Sequence, residues 1–210
     1  DPALSLTYPE NYIITDSING QASNEFADTL KALGQYTVSG YVADVSGNIL
    51  SSASGIVEPI VFDKKSTVKT LSNDGTPVME FEVRDKVLYK GKSSVANGRF
   101  NITFTIPKDI SFKTGDGKIS YYYKENEEKI DAHGFYNDII VGGYSDSASI
   151  DNSGPVIQLF LNDSLFITGG ITDADPSIFA LIYDESGINT LGTGIGHDMV
   201  AILDGNNDGN

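Results

Sequence analysis

The sequence contains no cysteine and no tryptophan, and only two histidines. Without cysteine the chain can form no disulfide, no thiolate metal site and no cysteine nucleophile. The absence of disulfides does not by itself fix a compartment. It does exclude a cysteine-based active site anywhere in these 210 residues.

Basic residues are also scarce. There are 14 lysines and arginines against 29 aspartates and glutamates, which gives a formal charge of −15. Such a surface repels phosphate backbones, so nucleic acid is not an expected partner. No uninterrupted apolar run approaches the roughly 18 residues of a transmembrane helix, and no membrane-spanning segment is expected. The chain begins at Asp1 without a visible signal peptide, which predicts a processed or excised piece of a longer protein.

What the chain does have is a clear strand pattern. Phe100, Ile102, Phe104 and Ile106 alternate with polar residues, the period of a strand that buries one face. The dipeptide Asn97-Gly98 before them favours a two-residue hairpin turn. This stretch predicts a β-hairpin at the centre of an all-β domain.

Further alternating runs, separated by turn signals, predict seven or eight strands and an immunoglobulin-like β-sandwich over residues 36–143. Pro59 within one of them suggests an edge strand or a bulge. Besides the hairpin strand, the predicted runs are Tyr36–Asp44, Gly55–Phe62, Phe81–Leu88, Lys118–Tyr123 and Asp138–Val141, with Lys64–Leu71 as a polar strand or loop.

Residues 1–35 are predicted to be an extended lead-in from a preceding domain. Within this range Phe26, Leu30 and Leu33 have the spacing of one helix face. The pattern leaves two alternatives for Asn24–Leu33, a short helix or an extended linker.

The amino-acid composition changes after residue 143, where the predicted sandwich ends. Residues 144–154 are small and polar and predict a linker. Residues 155–210 predict a second, smaller β-sandwich-like module, which is expected to be truncated because so short a chain rarely forms an independent β domain. Its predicted strands are Val156–Leu161, Leu165–Ile167, Phe179–Tyr183 and Met199–Leu203.

The last residues resemble the first half of a calcium loop. Asp204, Asn206 and Asp208 place oxygen donors at every second position, and Gly209 follows. The same residue types also form ordinary surface turns. These three residues are therefore the weak calcium candidates, and no other metal site or cofactor is predicted.

Other residues that could carry chemistry have simpler interpretations. His197 and Asp198 could form half of a general-base pair, but neighbouring residues of a strand point to opposite faces and no nucleophile has a recognisable context. His133 is predicted to be structural. Tyr121–Tyr123 and Tyr136 invite an aromatic sugar-binding platform, but consecutive strand tyrosines face both ways, so packing is the preferred interpretation.

Several motifs, taken in their order, resemble the region that follows the catalytic domain in gingipain-like cysteine peptidases, most of all the C-terminal signal peptidase (sortase) of the bacterial type IX secretion system. Asp1–Leu4 resembles a segment near the end of that catalytic domain. The motifs of the first β module are Asp28–Leu33, Phe62–Lys65, Ile106–Ile110 and Gly117–Tyr122. Those of the next module are Asp151–Pro155, Gly169–Asp173, Asp184–Thr190 and Gly194–Asp198.

The resemblance implies a non-catalytic piece of a larger cysteine peptidase. The Cys-His pair of the family has no position here, so no catalytic or cofactor-binding residue is predicted and the chain itself is not expected to be an enzyme. The parent would process exported proteins and attach them at the outer membrane or cell surface of a Gram-negative, Bacteroidetes-type bacterium.

Within that parent the chain is expected to be a scaffold or protein-docking module. The expected partners are the preceding peptidase domain of the same chain and secretion-system proteins or cargo. The alternative is a calcium-supported cell-surface adhesion or glycan-binding module. A third hypothesis, a free-standing hydrolase using His197 and Asp198, is the least supported.

Overall fold

The computed structural model describes residues 8–26, 28–126, 130–145, 153–184 and 188. Strands dominate these ranges and no α-helix occurs in them, so the predicted all-β class is confirmed. Nowhere in these ranges does a helix have the length and hydrophobicity to cross a bilayer. The described residues form two compact units, a larger one up to residue 145 and a smaller one over 153–184.

The strands of the described residues are numbered in chain order. In the larger unit they are β1 (Asn11–Ile18), β2 (Gln21–Ala22), β3 (Thr29–Ala32), β4 (Gln35–Ala43), β5 (Gly55–Phe62), β6 (Ser66–Lys69), β7 (Glu80–Val83), β8 (Val87–Lys90), β9 (Ser93–Val95), β10 (Arg99–Thr105), β11 (Gly115–Asp116), β12 (Lys118–Glu125), β13 (Asp131–Tyr136) and β14 (Ile140–Tyr144). The smaller unit contains β15 (Val156–Leu161) and β16 (Ile178–Tyr183).

One long mixed sheet, here called the main sheet, organises the larger unit. Its order is β10-β4-β1-β13-β12-β5-β8, with β2 paired to β1 and β9 paired to β5. Neighbours pair antiparallel except β1 and β13, which run parallel. A second sheet has the order β11-β14-β3.

The hydrophobic core is built from side chains of both sheets, which gives the unit the two-layer organisation of a β-sandwich. Alternation sends every second residue of a strand inward, as in β10, where Phe100, Ile102 and Phe104 are buried and their neighbours are not. The core also includes Ile13, Val38, Val57, Val61, Ile119 and Tyr123 of the main sheet and Leu30, Ala32 and Val141 of the second sheet.

The predicted turn before β10 is present. Asn97 and Gly98 both have positive φ values, 52° and 74°, as a primed hairpin turn requires. Ala96 and Arg99 exchange both backbone hydrogen bonds across it, each 3.0 Å long. Beyond the turn the two arms separate, because β9 pairs with β5 whereas β10 pairs with β4.

The lead-in region contains strands, and the alternative of a helix over Asn24–Leu33 is wrong. A single 3-10 turn spans Ser23–Glu25, and β3 follows at Thr29–Ala32. β1 lies in the interior of the main sheet, between β4 and β13. Part of the range 1–35 thus belongs to the sandwich. Its apolar residues pack within the sheets and do not form the face of a helix.

Of the two alternatives at Pro59, the edge strand is wrong, since β5 lies between β12 on one side and β8 and β9 on the other. β5 does have an irregular register, between Val61 and Phe62. On that second side β9 ends its pairing at Val57 and β8 begins at Ile60. Pro59 falls where one partner replaces the other, a position that does not need a ladder amide.

Two other strand predictions differ from the structure. The run Phe81–Leu88 is divided between β7 and β8, which belong to different sheets. β13 has no counterpart among the predicted strands. Its Gly134 lies so close to β1 that an added Cβ would be 2.1 Å from the carbonyl oxygen of Ile13. A strand with such small inward residues lacks the apolar alternation that makes strands visible in a sequence.

A buried polar pair links β1 to β12. The hydroxyls of Thr15 and Tyr121 share a hydrogen bond of 2.8 Å inside the sandwich. Burial raises the pKa of the Tyr121 hydroxyl above its ordinary value. Because each hydroxyl satisfies the other, this polar contact is compatible with the surrounding apolar core.

The smaller unit contains one antiparallel hairpin of β15 and β16, paired from Val156 opposite Tyr183 to Leu161 opposite Ile178. The rings of Phe160 and Phe179 face each other across it at 6.2 Å. Leu165–Ile167, predicted as a strand, forms a turn and irregular chain instead. The predicted strand Met199–Leu203 lies outside the described residues.

Candidate functional site

A two-stranded hairpin of β6, β7 and the connecting residues 70–79, here called the outer hairpin, forms a sheet of its own within the larger unit. Its base is fixed by a buried carboxylate. Asp63 accepts hydrogen bonds from the backbone amide and the Nζ of Lys64, at 2.8 and 2.7 Å. Arg84 donates to the carbonyl oxygens of Asp63 and Asp116, at 3.1 and 2.9 Å. The two Arg84 hydrogen bonds tie the β7 arm of the hairpin to the sandwich.

One side of the outer hairpin is charged. Ion pairs join Lys69 to Glu80 at 2.6 Å and Lys65 to Glu82 at 2.9 Å. All four side chains are more than half exposed. Pairs this exposed stabilise a fold little, since water and salt screen them. Their effect is to keep this side of the hairpin hydrated.

The opposite side of the outer hairpin is apolar and exposed. Val68 and Phe81 are cross-strand partners, and the Met79 backbone pairs with Thr70 one step further along. Val68 is 37% exposed, Phe81 47% and Met79 68%. Large apolar side chains clustered at this exposure are typical of protein-contact surfaces.

An open groove of about 590 Å³ lies at the tip of the outer hairpin and is lined by residues from Lys69 to Phe81. Asp74 accepts hydrogen bonds from the Thr76 amide and hydroxyl, and the Ser72 hydroxyl donates to the Thr76 carbonyl. These contacts shape the turn without using the apolar side chains. The groove therefore offers shape and hydrophobic surface, but no set of reactive groups.

The candidates for chemistry from the sequence divide into described and undescribed residues. Asp204, Asn206 and Asp208 lie outside the described residues, as do His197 and Asp198, and their roles stay predictions. Within the described ranges, no three histidine, aspartate or glutamate side chains are grouped so that they could hold a metal ion.

The tyrosine run behaves as strand alternation requires. Tyr121 and Tyr123 point into the core, 4% and 0% exposed, whereas Tyr122 points outward and is 43% exposed. Tyr136 is half-buried and its hydroxyl donates to the Ser23 carbonyl at 2.6 Å. Of these four residues, Tyr122 is the one whose ring is available on the surface.

His133 lies on β13, and its ring stacks on Tyr12 of β1 with 5.7 Å between ring centroids. Parallel pairing of β1 and β13 places the two residues directly opposite each other. Sequence reasoning missed this pair because 121 residues separate them. It also missed the apolar side of the outer hairpin, although Phe81 lies between two glutamates and Val68 and Met79 each have one charged neighbour.

Comparison with known proteins supports a specific relationship. A crystal structure of dimeric latent PorU from Porphyromonas gingivalis is similar to this chain at 32% sequence identity and a TM-score of 0.68, over 95% of this chain and 19% of that one. The chain thus spans about a fifth of the length of PorU. The predicted resemblance is confirmed, and the chain is PorU-like over nearly all of its sequence.

The other comparisons add little. The sporulation control protein Spo0M from Bacillus subtilis is similar at 14% identity and a TM-score of 0.37, over 65% of this chain and 51% of that one, and this likeness supports no conclusion. No family model matches the sequence, and neither does any curated protein.

Proposed function

We propose that this chain is the non-catalytic β-sandwich region of a larger gingipain-like cysteine peptidase of the type IX secretion system. The parent would process exported proteins and attach them at the outer membrane or cell surface. The similarity to PorU over 95% of the chain is the observation that carries this proposal. The absence of cysteine agrees with a region that supports catalysis elsewhere in the parent.

Within the parent, this region acts as a scaffold and protein-docking module. The outer hairpin supports that role, because its apolar side combines Val68, Met79 and Phe81 while its other side keeps two hydrated ion pairs. A protein partner would cover the apolar side and leave the charged side in water. The occupant we propose is the peptidase domain of the same polypeptide.

The test uses the full-length parent in its own bacterium. Val68→Ser, Met79→Ser and Phe81→Ser are introduced together, and maturation and surface attachment of an exported substrate are followed by immunoblot of cell fractions. The matched control is Lys69→Gln with Glu80→Gln, on the charged side of the same hairpin. The apolar-side variant is expected to lower maturation several-fold, and the control is expected to match the wild type.

The peptidase assignment and the docking role of the outer hairpin are tested by different outcomes. If the full-length parent with its upstream cysteine replaced by alanine still matures its substrate, the peptidase assignment is wrong. If the parent is active but the apolar-side variant matures substrate normally, docking through the outer hairpin is wrong and the peptidase assignment stands.

The alternative of a calcium-supported surface module rests on Asp204, Asn206 and Asp208. Calcium that binds only the folded chain must raise its melting temperature. A calorimetric melt in millimolar calcium and in chelator, repeated with Asp204→Asn and Asp208→Asn, decides it. Equal melting temperatures in both buffers would remove calcium from the account.

A further inference from the structure

The outer face of the main sheet carries a row of exposed aromatic rings. Tyr122 on β12 is paired with His133 on β13, which is paired in turn with Tyr12 on β1. Tyr12 is 46% and Tyr122 43% exposed. Because strands lie about 4.8 Å apart, the row is about 10 Å long. Three strands thus hold three rings in one row across the sheet.

A fourth ring extends this row into a platform. Phe135 lies two residues beyond His133 on the same face of β13 and is 63% exposed. The Nζ of Lys118 lies 5.0 Å from its ring centroid. Tyr12, Tyr122, His133 and Phe135 are here called the aromatic platform. Sheet pairing, not a mobile loop, fixes the positions of all four.

Charged and hydroxyl groups stand among these rings. The Tyr122 hydroxyl donates to Asp131 at 3.3 Å. Glu58, the partner of Tyr122 on β5, is paired with Lys92 at 3.1 Å. Carboxylates and ammonium groups therefore lie among the rings of the platform, and its apolar surface is interrupted.

The combination of aromatic rings and charged groups favours one class of ligand over others. The centre of a protein interface is depleted of charged residues, because burying Glu58 or Asp131 under an apolar partner would cost their hydration. Phosphate polymers are repelled by the same carboxylates and by the charge of −15. A sugar ring fits both features, since its C–H face stacks on an aromatic ring and its hydroxyls donate to carboxylates.

We propose that the aromatic platform binds a neutral saccharide, with the rings of Tyr12 and Tyr122 as stacking surfaces and Asp131 and Glu58 as acceptors for sugar hydroxyls. This site is independent of the proposed docking role, because it lies on β1, β12 and β13 and not on the outer hairpin. Neutral charge is part of the assignment, since an anionic sugar would meet two carboxylates.

The experiment is a titration of the chain with neutral oligosaccharides of glucose, mannose and N-acetylglucosamine, up to about 10 mM each, followed by isothermal calorimetry and tyrosine fluorescence. At least one is expected to bind. Tyr12→Ala with Tyr122→Ala is expected to weaken that binding at least tenfold, as is Phe135→Ala if the ligand reaches the fourth ring. Phe112→Ala, which removes a ring 71% exposed elsewhere on the unit, is the matched control and is expected to keep wild-type affinity.

Several results would overturn the proposal. They are the failure of every neutral oligosaccharide to bind the wild type, binding restricted to sulfated or uronic-acid sugars, and equal loss of affinity in the Phe112→Ala control. If the double variant has wild-type circular dichroism and changes substrate maturation in the parent while the wild type binds no sugar, the face is a protein interface and the assignment is wrong.

Discussion

Strands β10 and β7 both alternate apolar and polar residues, but a phenylalanine of β10 is buried whereas one of β7 is exposed. In β10, Phe104 follows a polar residue and precedes another, and it is 4% exposed. In β7, Phe81 stands between two glutamates and is 47% exposed. Phe104 lies between the rings of Tyr36 and Tyr89, at centroid distances of 6.4 and 5.0 Å. β7 belongs to a sheet of two strands.

The difference shows that alternation specifies a strand but not a buried face. Burial needs a second layer, and β10 obtains one because its sheet is part of a sandwich. The outer hairpin is attached to the sandwich at its base, where Arg84 donates to the carbonyl oxygens of Asp63 and Asp116. An apolar face left uncovered in this way is available for recognition.

The largest expected effect on stability is at β10, whose Phe104 belongs to the core. Phe104→Ala should lower the free energy of unfolding by about 3–5 kcal/mol, because it opens a cavity between Tyr36 and Tyr89. Phe81→Ala should change it by less than about 1 kcal/mol. Urea unfolding followed by circular dichroism measures both. Equal losses would mean that the outer hairpin is part of the cooperative core.

Close approach of β1 and β13 gives the second prediction. Gly134→Ala would place a methyl group 2.1 Å from the Ile13 carbonyl oxygen, and the forced separation should cost about 2–3 kcal/mol. Gly154→Ala adds the same methyl group where no atom lies within 4 Å, and it should leave stability unchanged. Thermal melts of the two variants make the comparison. A neutral Gly134→Ala would contradict the tight pairing.

The third prediction concerns the hydrogen bond between Thr15 and Tyr121. Tyr121→Phe leaves the Thr15 hydroxyl buried without its partner and should cost about 1–3 kcal/mol. Thr15→Val together with Tyr121→Phe should recover part of this loss, because neither group then lacks a partner. If the double variant is less stable than Tyr121→Phe alone, the two side chains contribute more to stability than the pairing of their buried hydroxyls. Chemical denaturation at neutral pH is the measurement.

Tyr121 also predicts how stability depends on pH. Its folded pKa is raised above the ordinary 10.0, so the neutral hydroxyl is the form that the fold favours. Stability from this group is complete below pH 10 and decreases above it, because the unfolded chain releases the proton first. Tyr121→Phe should therefore lose less stability than the wild type between pH 9 and 11. Parallel slopes in pH-dependent melts would contradict the assignment.

The smallest effect is expected on the charged side of the outer hairpin. Lys65→Gln and Lys69→Gln each remove one exposed ion pair and should change the free energy of unfolding by less than about 1 kcal/mol. Raising the salt concentration should abolish even that difference. A loss of several kcal/mol would show that these pairs hold the hairpin together.

The hairpin turn and β10 could be predicted from the sequence because their signals are local. Asn97-Gly98 and the alternation from Phe100 to Ile106 lie within ten residues of each other. β13 could not be predicted, because its inward residues Ala132 and Gly134 are small to let β1 approach. That requirement comes from a strand about 120 residues earlier in the chain.

The aromatic platform illustrates the same limit at a candidate site. Tyr122 was visible as a member of a tyrosine run, and alternation correctly separates it from Tyr121 and Tyr123. Tyr12 and His133 carried no signal, since only the parallel register of β1 and β13 brings them together. Sequence reasoning thus identified one ring, and sheet topology supplied the others.

The position of β1 has a consequence for how this protein is made. β1 pairs with β13, and the Asn11 side chain reaches the Asp131 backbone across 120 residues of sequence. Closing so long a loop is entropically costly and makes folding slow. The main sheet cannot be completed until β13 has been synthesised. Folding of the larger unit is therefore expected to finish only after most of its chain has been made.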